Sequence, residues 1–255
     1  MSDVLPELLP EVLLEVCVDS PEGLLAAVRG GAGRVELCAA LAIGGLTPAP
    51  GLMALAAEQP IPVWPLLRVH PGPFRYTPAD VRALKADMDV VAGFGLAGVV
   101  IGANDASGQL DRAVLAELAD HARARDLGLT LHRAFDLAAV NDPEGAVDLA
   151  VELGFDRILT SGAARTAEAG LAVLERIVAH AGNRISILPG SGISRANVDV
   201  ILDRLGVREV HSSCSAPDLT GSEGERALGF LAEHPKRTDE ATVRELVQHL
   251  AGRRR

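Results

Sequence analysis

Two consecutive hydrophobic runs of this sequence contain the same short phrase, a glutamate followed two residues later by a cysteine. The first phrase is Glu15 and Cys17, and the second is Glu36 and Cys38. Residues two apart in a β-strand point to the same side, so each glutamate shares a face with its cysteine. Adjacent strands lie about 4.8 Å apart, and we expect the two sulfur atoms at one level of the sheet. Two thiolates suit Cu(I), with Zn(II) possible if histidine or carboxylate completes the site.

A structural interpretation of these four residues is also open. Unpaired cysteines inside proteins commonly act as small buried hydrophobic residues. A buried carboxylate is costly unless it is paired, so we expect an arginine such as Arg34 or Arg68 to neutralise Glu15 and Glu36. Such pairing is compatible with use of either carboxylate as a general base.

Imidazole, guanidinium and carboxylate groups follow two later runs. Arg68 ends the third run, and His132, Arg133 and Asp136 lie close together at the end of the fifth. A lone histidine there is more often hydrogen-bonded scaffolding, but the density of polar groups favours a functional role. If the protein is an enzyme, Arg68 and His132 are expected to act as electrophilic partners of a glutamate base, with Asp136 beside them. Arg133 has the opposite parity to His132, which favours an outward orientation.

A glycine-rich turn after the seventh run predicts an anion site. Glycine lets backbone N–H groups approach an anion, and a helix expected to begin near Ser194 would add positive charge at its N-terminus. Phosphate sites in eight-stranded α/β barrels are commonly built from the loops after strands seven and eight. A plain tight turn is the alternative. The residues expected to form the site are Gly190, Ser191, Gly192, Ser212 and Ser213.

These groups lie at the ends of eight β-branched or leucine-rich runs that alternate with amphipathic segments. The alternation predicts a parallel sheet covered by helices, specifically one (β/α)8 barrel of the TIM type over residues 1–255, with units at about 13–213. A doubly wound sheet is disfavoured because no glycine-rich fingerprint follows the first strand. The predicted strands are 13–18, 34–38, 62–68, 98–101, 128–132, 157–160, 186–189 and 209–212.

Helix start signals agree with this alternation. Ser20, Thr77, Asp142 and Ser194 each offer a capping oxygen, and proline follows the first three. Residues 216–239 lack clear periodicity and are expected to form a short helix over the end of the barrel. The final helix is predicted at residues 240–250.

Charge and cysteine usage restrict the class of protein. The 255 residues carry a net charge of −10, which disfavours nucleic acid and anionic membranes as partners. No apolar run approaches the roughly 20 residues of a membrane span, and no basic region precedes an apolar one near the N-terminus. Three cysteines are an odd number, which favours reduced thiols in the cytoplasm. The arginines at 253–255 are interpreted as a solvated tail.

Six phrases, in order, resemble the signature of the CutC family, whose members are named for copper homeostasis. They occupy residues 14–20, 31–38, 44–48, 132–136, 159–162 and 210–213. The resemblance implies a TIM-type barrel, a cytoplasmic location, Cu(I) binding and self-association into a homo-oligomer. It carries the family's proposed copper cysteines onto Cys17 and Cys38. Its polar strand-end groups fall on Glu15, Glu36, Arg68, His132, Arg133, Asp136 and His211.

The third loop departs from the family pattern. Residues 68–74 read Arg-Val-His-Pro-Gly-Pro-Phe where the family usually has Arg-Pro-Arg-Gly-Gly-Asp-Phe, and Ile43 replaces a usual glutamate. The leading hypothesis is a copper-handling protein that binds Cu(I) through its strand-end cysteines. The alternative is an enzyme acting on a small phosphorylated or otherwise anionic metabolite, and a third possibility is a non-catalytic binding scaffold. A pocket joining the carboxylates to the Gly190 turn would favour the enzyme.

Overall fold

A computed structural model describes residues 12–253. Its eight barrel strands are all parallel and form two four-stranded sheets, in the orders β3-β2-β1-β8 and β4-β5-β6-β7. The strands are β1 (Leu13–Val18), β2 (Arg34–Leu37), β3 (Val63–Pro65), β4 (Gly98–Ile101), β5 (Gly128–Leu131), β6 (Arg157–Thr160), β7 (Ser186–Pro189) and β8 (Glu209–Ser212).

Two junctions connect the sheets. A parallel bridge pairs Leu66, just after β3, with Val100 of β4, and the N–H of Leu67 donates to the Val100 carbonyl oxygen at 2.9 Å. On the other side β7 lies against β8, and the Ser212 hydroxyl donates to the Ile193 carbonyl oxygen at 2.7 Å. The strands therefore follow chain order around a (β/α)8 barrel of the TIM type, as the sequence predicts.

The helices cover the outside of the barrel, and their first turns show why they begin where they do. The Ser20 side chain accepts from the Gly23 N–H at 3.1 Å, Thr77 and Asp80 cap each other, and Asp142 accepts from Gly145 at 2.9 Å. These start signals are confirmed. The helices between the strands are α1 (Pro21–Gly30), α2 (Pro50–Ala57), α3 (Pro78–Gly93), α4 (Arg112–Arg123), α5 (Ala134–Ala139), α6 (Pro143–Glu152), α7 (Leu171–Ala181) and α8 (Val198–Leu205).

The prediction of a helix start near Ser194 is wrong, because α8 begins at Val198. The side chain of Asn197 accepts the Ser194 N–H at 2.9 Å, and the Asn197 N–H donates back to the Ser194 carbonyl oxygen at 3.2 Å. A turn therefore precedes the helix. Three strands also end or begin inside the predicted ranges: β2 ends at Leu37, β3 covers only Val63–Pro65 and β5 ends at Leu131.

The segment expected to form only a short helix also contains a two-stranded ribbon. Strands β9 (Ser215–Pro217) and β10 (Lys236–Thr238) pair antiparallel and enclose helix α9 (Glu223–Ala227). The ribbon was missed because three-residue strands carry no readable alternation. Helix α10 (Glu240–Gly252) follows, close to its predicted position, and Asp239 caps it by accepting from Thr242 at 2.9 Å.

The side chains of Trp64 and Arg157 pack against each other inside the barrel. The Arg157 guanidinium lies 4.2 Å from the centre of the Trp64 ring. A side chain at Gly98 or Gly128 would collide with that ring, since a Cβ added at Gly128 would lie 2.3 Å from Trp64 Cη2. These two glycines therefore create the space for the only tryptophan of the chain.

Among residues 12–253, no helix combines the length and the apolarity of a membrane span. The N-terminal residues 1–11, where no basic region precedes an apolar one, lie outside the described residues, as do Arg254 and Arg255. Arg253 is not a solvated tail residue, because it forms ion pairs with Asp199 and Asp203 of α8.

Candidate functional site

A cavity of about 340 Å³ lies at the carboxyl ends of the strands. It joins the carboxylate of Glu36 to Ser191 and Gly192 of the turn after β7, whereas Glu15 and Gly190 do not line it. Its walls also carry thiol, imidazole and guanidinium groups. The lining residues with polar side chains are Cys17, Glu36, Cys38, Arg68, His132, Arg133, Ser191, His211, Ser212 and Ser213.

A buried ion network extends from His211, which lines the cavity, into the interior of the barrel. Arg34 donates to Glu15 and, at 2.6 Å, to Glu209. The other oxygen of Glu15 accepts from Nδ1 of His211 at 2.7 Å. Burial alone would raise the pKa of Glu15, but the hydrogen bond from His211 and the charge of Arg34 outweigh it and lower the pKa to about 2. The expected neutralisation of Glu15 by Arg34 is confirmed.

Cys17, Glu36 and His211 form a cluster of possible metal ligands. One donor atom from each lies within 4.8 Å of the other two, and all three residues are buried. The register produces this cluster, since Cys17 is paired with Glu36 and Glu15 with His211. Cys38 is therefore two residues further along its strand than the level of Cys17. The expectation of two sulfur atoms at one level is wrong, because the strands of the barrel are staggered.

The two inward glutamates have opposite electrostatic properties. Burial raises the pKa of Glu36 to about 7, and the nearby carboxylate of Glu15 adds to this effect against the attraction of His211. Burial alone would lower the pKa of His211, but Cys17, Glu15 and Glu36 outweigh it and raise the pKa well above its usual value. Glu36 can therefore gain or lose a proton near neutral pH, whereas Glu15 stays ionised.

The Cys38 side chain lies beside the carboxylate of Glu36. Its thiol is within hydrogen-bonding reach of Glu36, and its surroundings are otherwise apolar, consisting of Trp64, Leu66 and Val100. Burial, together with the charges of Glu36 and Cys17, raises the pKa of the Cys38 thiol well above its usual value. Without a metal, Cys38 is therefore a protonated thiol.

His132 is a neutral donor in the wall of the cavity. Its Nδ1 accepts from the Ala134 N–H at 3.0 Å, which assigns the ring proton to Nε2. Burial and the charge of Arg68 lower the pKa of His132 to about 3. Nε2 is buried without a hydrogen-bond partner in the described part of the chain. Gly102 makes room for the ring, since a Cβ there would lie 2.5 Å from it.

Arg68 is a buried guanidinium held by carbonyl groups. Nη1 donates to Ile43 and Gly45 at 3.2 and 3.0 Å, and Nη2 donates to Gly72 at 2.8 Å. Nε is buried and has no hydrogen-bond partner among the described residues. The ring of Phe74 lies 5.0 Å from the guanidinium carbon and 4.8 Å from the centre of the His132 ring. The altered third loop thus still brings an arginine and a phenylalanine to the cavity.

Asp136 and Arg133 bind each other, but only Arg133 lines the cavity. Asp136 accepts from Thr160 at 2.5 Å and from Ser161, and it binds Arg133 Nε at 2.7 Å. Because its oxygens are occupied, Asp136 organises the loop after β6 and does not line the cavity. The outward orientation favoured for Arg133 is wrong. Strand β5 ends at Leu131, so strand parity no longer applies, and Arg133 lines the cavity while donating to Ser161 at 2.7 Å.

The predicted anion-binding residues are only partly available. The Gly190 N–H donates to the Thr160 carbonyl oxygen at 2.9 Å, and the Ser212 hydroxyl donates to the Ile193 carbonyl oxygen. Gly190 packs closely against Leu159 and His211 and is not part of the lining. Ser191 and Gly192 do line the cavity, both with positive φ, and their N–H groups donate to no other described residue.

Residue-based reasoning alone missed His211, which entered only through the family resemblance. Strand alternation could have identified it, because His211 lies two residues after Glu209 and therefore on the same inward face of β8. Phe74 was noted only as part of the altered loop. Cys214, the third cysteine, is buried beside Ser212, and burial raises its pKa to about 11.

Comparisons with known proteins agree with these observations. The model of the CutC family matches residues 12–216. A CutC family protein of Sinorhizobium medicae is 52% identical over 233 residues, which cover 91% of this chain and 94% of the relative. A CutC family protein of Caulobacter vibrioides is 50% identical over 242 residues, covering 94% and 97%.

Solved structures are similar as well. The crystal structure of a protein described as copper homeostasis protein CutC from Streptococcus agalactiae has a TM-score of 0.75 and 28% identity, covering 79% of this chain and 98% of that one. An aldolase designated QR15 has a TM-score of 0.60 with 15% identity, covering 82% and 92%. The aldolase comparison supports the barrel fold alone.

Proposed function

This chain belongs to the CutC family, the copper homeostasis proteins, and on that basis we propose that it binds Cu(I) at the mouth of its barrel. Cys17 supplies the thiolate and His211 the imidazole nitrogen. The observation that carries the proposal is the buried cluster of Cys17, Glu36 and His211, with donor atoms within 4.8 Å of one another. Thiolate and imidazole together suit a soft ion better than Mg(II).

The contact between His211 and Glu15 supports this assignment. Metal-binding histidines commonly donate their other ring N–H to a carboxylate, which orients the ring. Here Nδ1 of His211 is 2.7 Å from Glu15, and Nε2 faces Glu36 at 3.7 Å. Nε2 is thus the nitrogen available to an ion once its proton leaves. Cys38 is a further donor, because its thiol already contacts Glu36.

The proposal is tested by anaerobic competition with a Cu(I) chelator. Cys17→Ser is expected to abolish high-affinity binding and Cys38→Ser to weaken it. Removing the orienting carboxylate with Glu15→Gln should cost about 10- to 100-fold in affinity. Cys214→Ser is the matched control, because Cys214 is a buried thiol outside the cluster. Equal Cu(I) affinity of the Cys17→Ser variant and the unmodified protein would contradict the proposal.

Proton release gives a second measurement. The raised pKa of His211 means that its imidazole carries a proton that a metal must displace, so affinity should rise with pH. Calorimetric titrations in two buffers of different ionisation enthalpy should therefore report protons released on binding. A binding enthalpy independent of the buffer would mean that His211 is not a ligand.

A second candidate function is acid–base catalysis on a small anionic metabolite. The observation that favours it is Glu36, a carboxyl with a pKa of about 7 in a cavity far larger than one ion needs. Incubation with small phosphorylated and carboxylated metabolites, followed by ¹H and ³¹P NMR, tests it. Turnover should be lost in Glu36→Gln, and turnover that survives this change would argue against Glu36 as the base.

Location and assembly remain proposals from the resemblance. We propose that the protein acts in the cytoplasm, and its three free thiols support a reducing compartment. We also propose that it self-associates. We propose copper or a small anion as the ligand, and the net charge of −10 supports the expectation that neither nucleic acid nor an anionic membrane is a partner.

A further inference from the structure

We propose that Arg68 and His132 form a binding subsite for an oxyanion, the carboxylate or phosphate group of a small molecule, on the wall of the cavity. The subsite is separate from the copper donors. It rests on neither proposed function, because an oxyanion can bind there whether or not the cavity catalyses a reaction.

Two buried N–H groups carry the inference. Nε of Arg68 and Nε2 of His132 have no hydrogen-bond partner among residues 12–253, although both residues are only 5% exposed. A buried donor left unpaired is costly, and most such groups in proteins have a partner. Both residues line the same cavity and flank the same ring, that of Phe74. The two unpaired donors therefore belong to side chains on one wall of the cavity.

The charge at this wall determines what kind of ligand fits. Arg34 is held by two carboxylates and Arg133 by one, but the hydrogen bonds of the Arg68 guanidinium to described residues all go to carbonyl oxygens. A buried cation without a counterion favours an anion from outside the protein. Oxyanions provide both the charge and acceptor atoms for two N–H donors.

The tautomer of His132 excludes a metal ion at this position. Because Nδ1 accepts from the Ala134 N–H, Nε2 carries the proton and has no lone pair to offer. The adjacent guanidinium would also repel a cation. His132 is therefore a fixed, neutral donor, a suitable group for holding an oxygen that bears or develops negative charge.

The cavity leaves room for more than the oxyanion itself. Strand β7 lies opposite β3 in the barrel order, so Ser191 and Gly192 face the Arg68 wall across the mouth. Glu36 and His211 lie on the floor between them. A ligand held at Arg68 and His132 would thus extend toward groups that can exchange protons. This arrangement indicates a small metabolite in preference to an isolated inorganic ion.

The test uses metal-free, reduced protein and two probes, inorganic phosphate and malonate, followed by the ¹H–¹⁵N signals of the histidine rings. Binding should shift the Nε2–H signal of His132. His132→Asn retains an acceptor for the Ala134 N–H but has no donor at the Nε2 position, and it should weaken binding by about 10-fold or more. His132→Gln places an amide donor there and should restore part of the affinity.

Two further variants separate this proposal from the others. Arg75→Gln removes one positive charge from the same loop at an exposed position and should leave binding unchanged. Cys17→Ser should lose Cu(I) but still bind the oxyanion, so failure of the copper proposal does not affect this one. A preference for malonate or phosphate identifies the carboxylate or phosphate class. The proposal is overturned if neither probe binds in the millimolar range, or if His132→Asn and unmodified protein bind them equally.

Discussion

Glutamine at position 15 is expected to destabilise the protein, whereas the same change at position 36 is expected to stabilise it near neutral pH. The two glutamates occupy equivalent places in a repeated phrase on neighbouring strands, and both are buried. Their surroundings differ. Glu15 is bound by Arg34 and His211, while Glu36 has the neutral Cys38 thiol and the more distant His211 and lies near the negative charge of Glu15.

The pKa of Glu15 falls from 4.5 to about 2 on folding, which corresponds to about 3 kcal/mol of stability. A depressed carboxyl pKa gives stability that is fully present above 4.5 and is lost as pH falls toward 2. Breaking a buried ion pair by removing one partner costs about 3–5 kcal/mol, a similar magnitude. Glu15→Gln should therefore lower the free energy of unfolding by about 3 kcal/mol near pH 7 and near pH 5.

The pKa shift of Glu36 on folding has the opposite sign. Its pKa rises from 4.5 to about 7 on folding, so the folded protein holds a proton that the unfolded chain has lost. Stability therefore decreases as pH rises from 4.5 to 7, by about 3 kcal/mol in total. Glu36→Gln removes this loss and should stabilise the protein by roughly 1–3 kcal/mol near pH 7. The gain should shrink near pH 5, where Glu36 is already neutral.

Urea unfolding of both variants at the two pH values measures these effects. Trp64 is the only tryptophan and is buried inside the barrel, so its fluorescence reports loss of the core. Far-UV circular dichroism should give the same midpoint. The reasoning is refuted if the two variants shift stability in the same direction near pH 7, or if Glu15→Gln unfolds at the same urea concentration as the unmodified protein.

Three further outcomes are expected. Gly128→Ala should cost about 1–3 kcal/mol in a thermal melt because its Cβ would lie 2.3 Å from Trp64, whereas Gly93→Ala, in open space at the end of α3, should be neutral or stabilising. Asp136→Asn should cost roughly 1–3 kcal/mol and raise amide hydrogen exchange in the loop after β6, and unchanged exchange would contradict its organising role. Light scattering should show an oligomer, and a shift to monomer in Phe230→Ser would identify the exposed Phe230 side chain as part of the interface.

Much of the fold is determined by local sequence. Strands β1, β4, β6, β7 and β8 have the predicted bounds, because each is a short run with clear turn signals at its ends. The starts of α1, α3 and α6 also agree, since a capping side chain and proline act within one turn. The helix start predicted near Ser194 is wrong because the Asn197 side chain accepts the Ser194 N–H. This hydrogen bond makes a turn where the helix was expected.

Only part of the candidate site could be predicted from the sequence. The inward direction of Glu15, Cys17, Glu36 and Cys38 follows from strand parity, and each of them lies in the barrel interior or lines the cavity. Pairing between Glu15 and Arg34 could also be anticipated from the cost of an unpaired buried carboxylate.

The tertiary structure decided which of these groups meet. Closure of the barrel staggers neighbouring strands, so Cys17 lies level with Glu36, and His211, from the far end of the chain, reaches Glu15. That stagger gives one glutamate a pKa of about 2 and the other a pKa of about 7. No local pattern contains this information, because register between distant strands depends on the geometry of the whole sheet. The same packing leaves the donors of His132 and Arg68 without partners in a shared cavity.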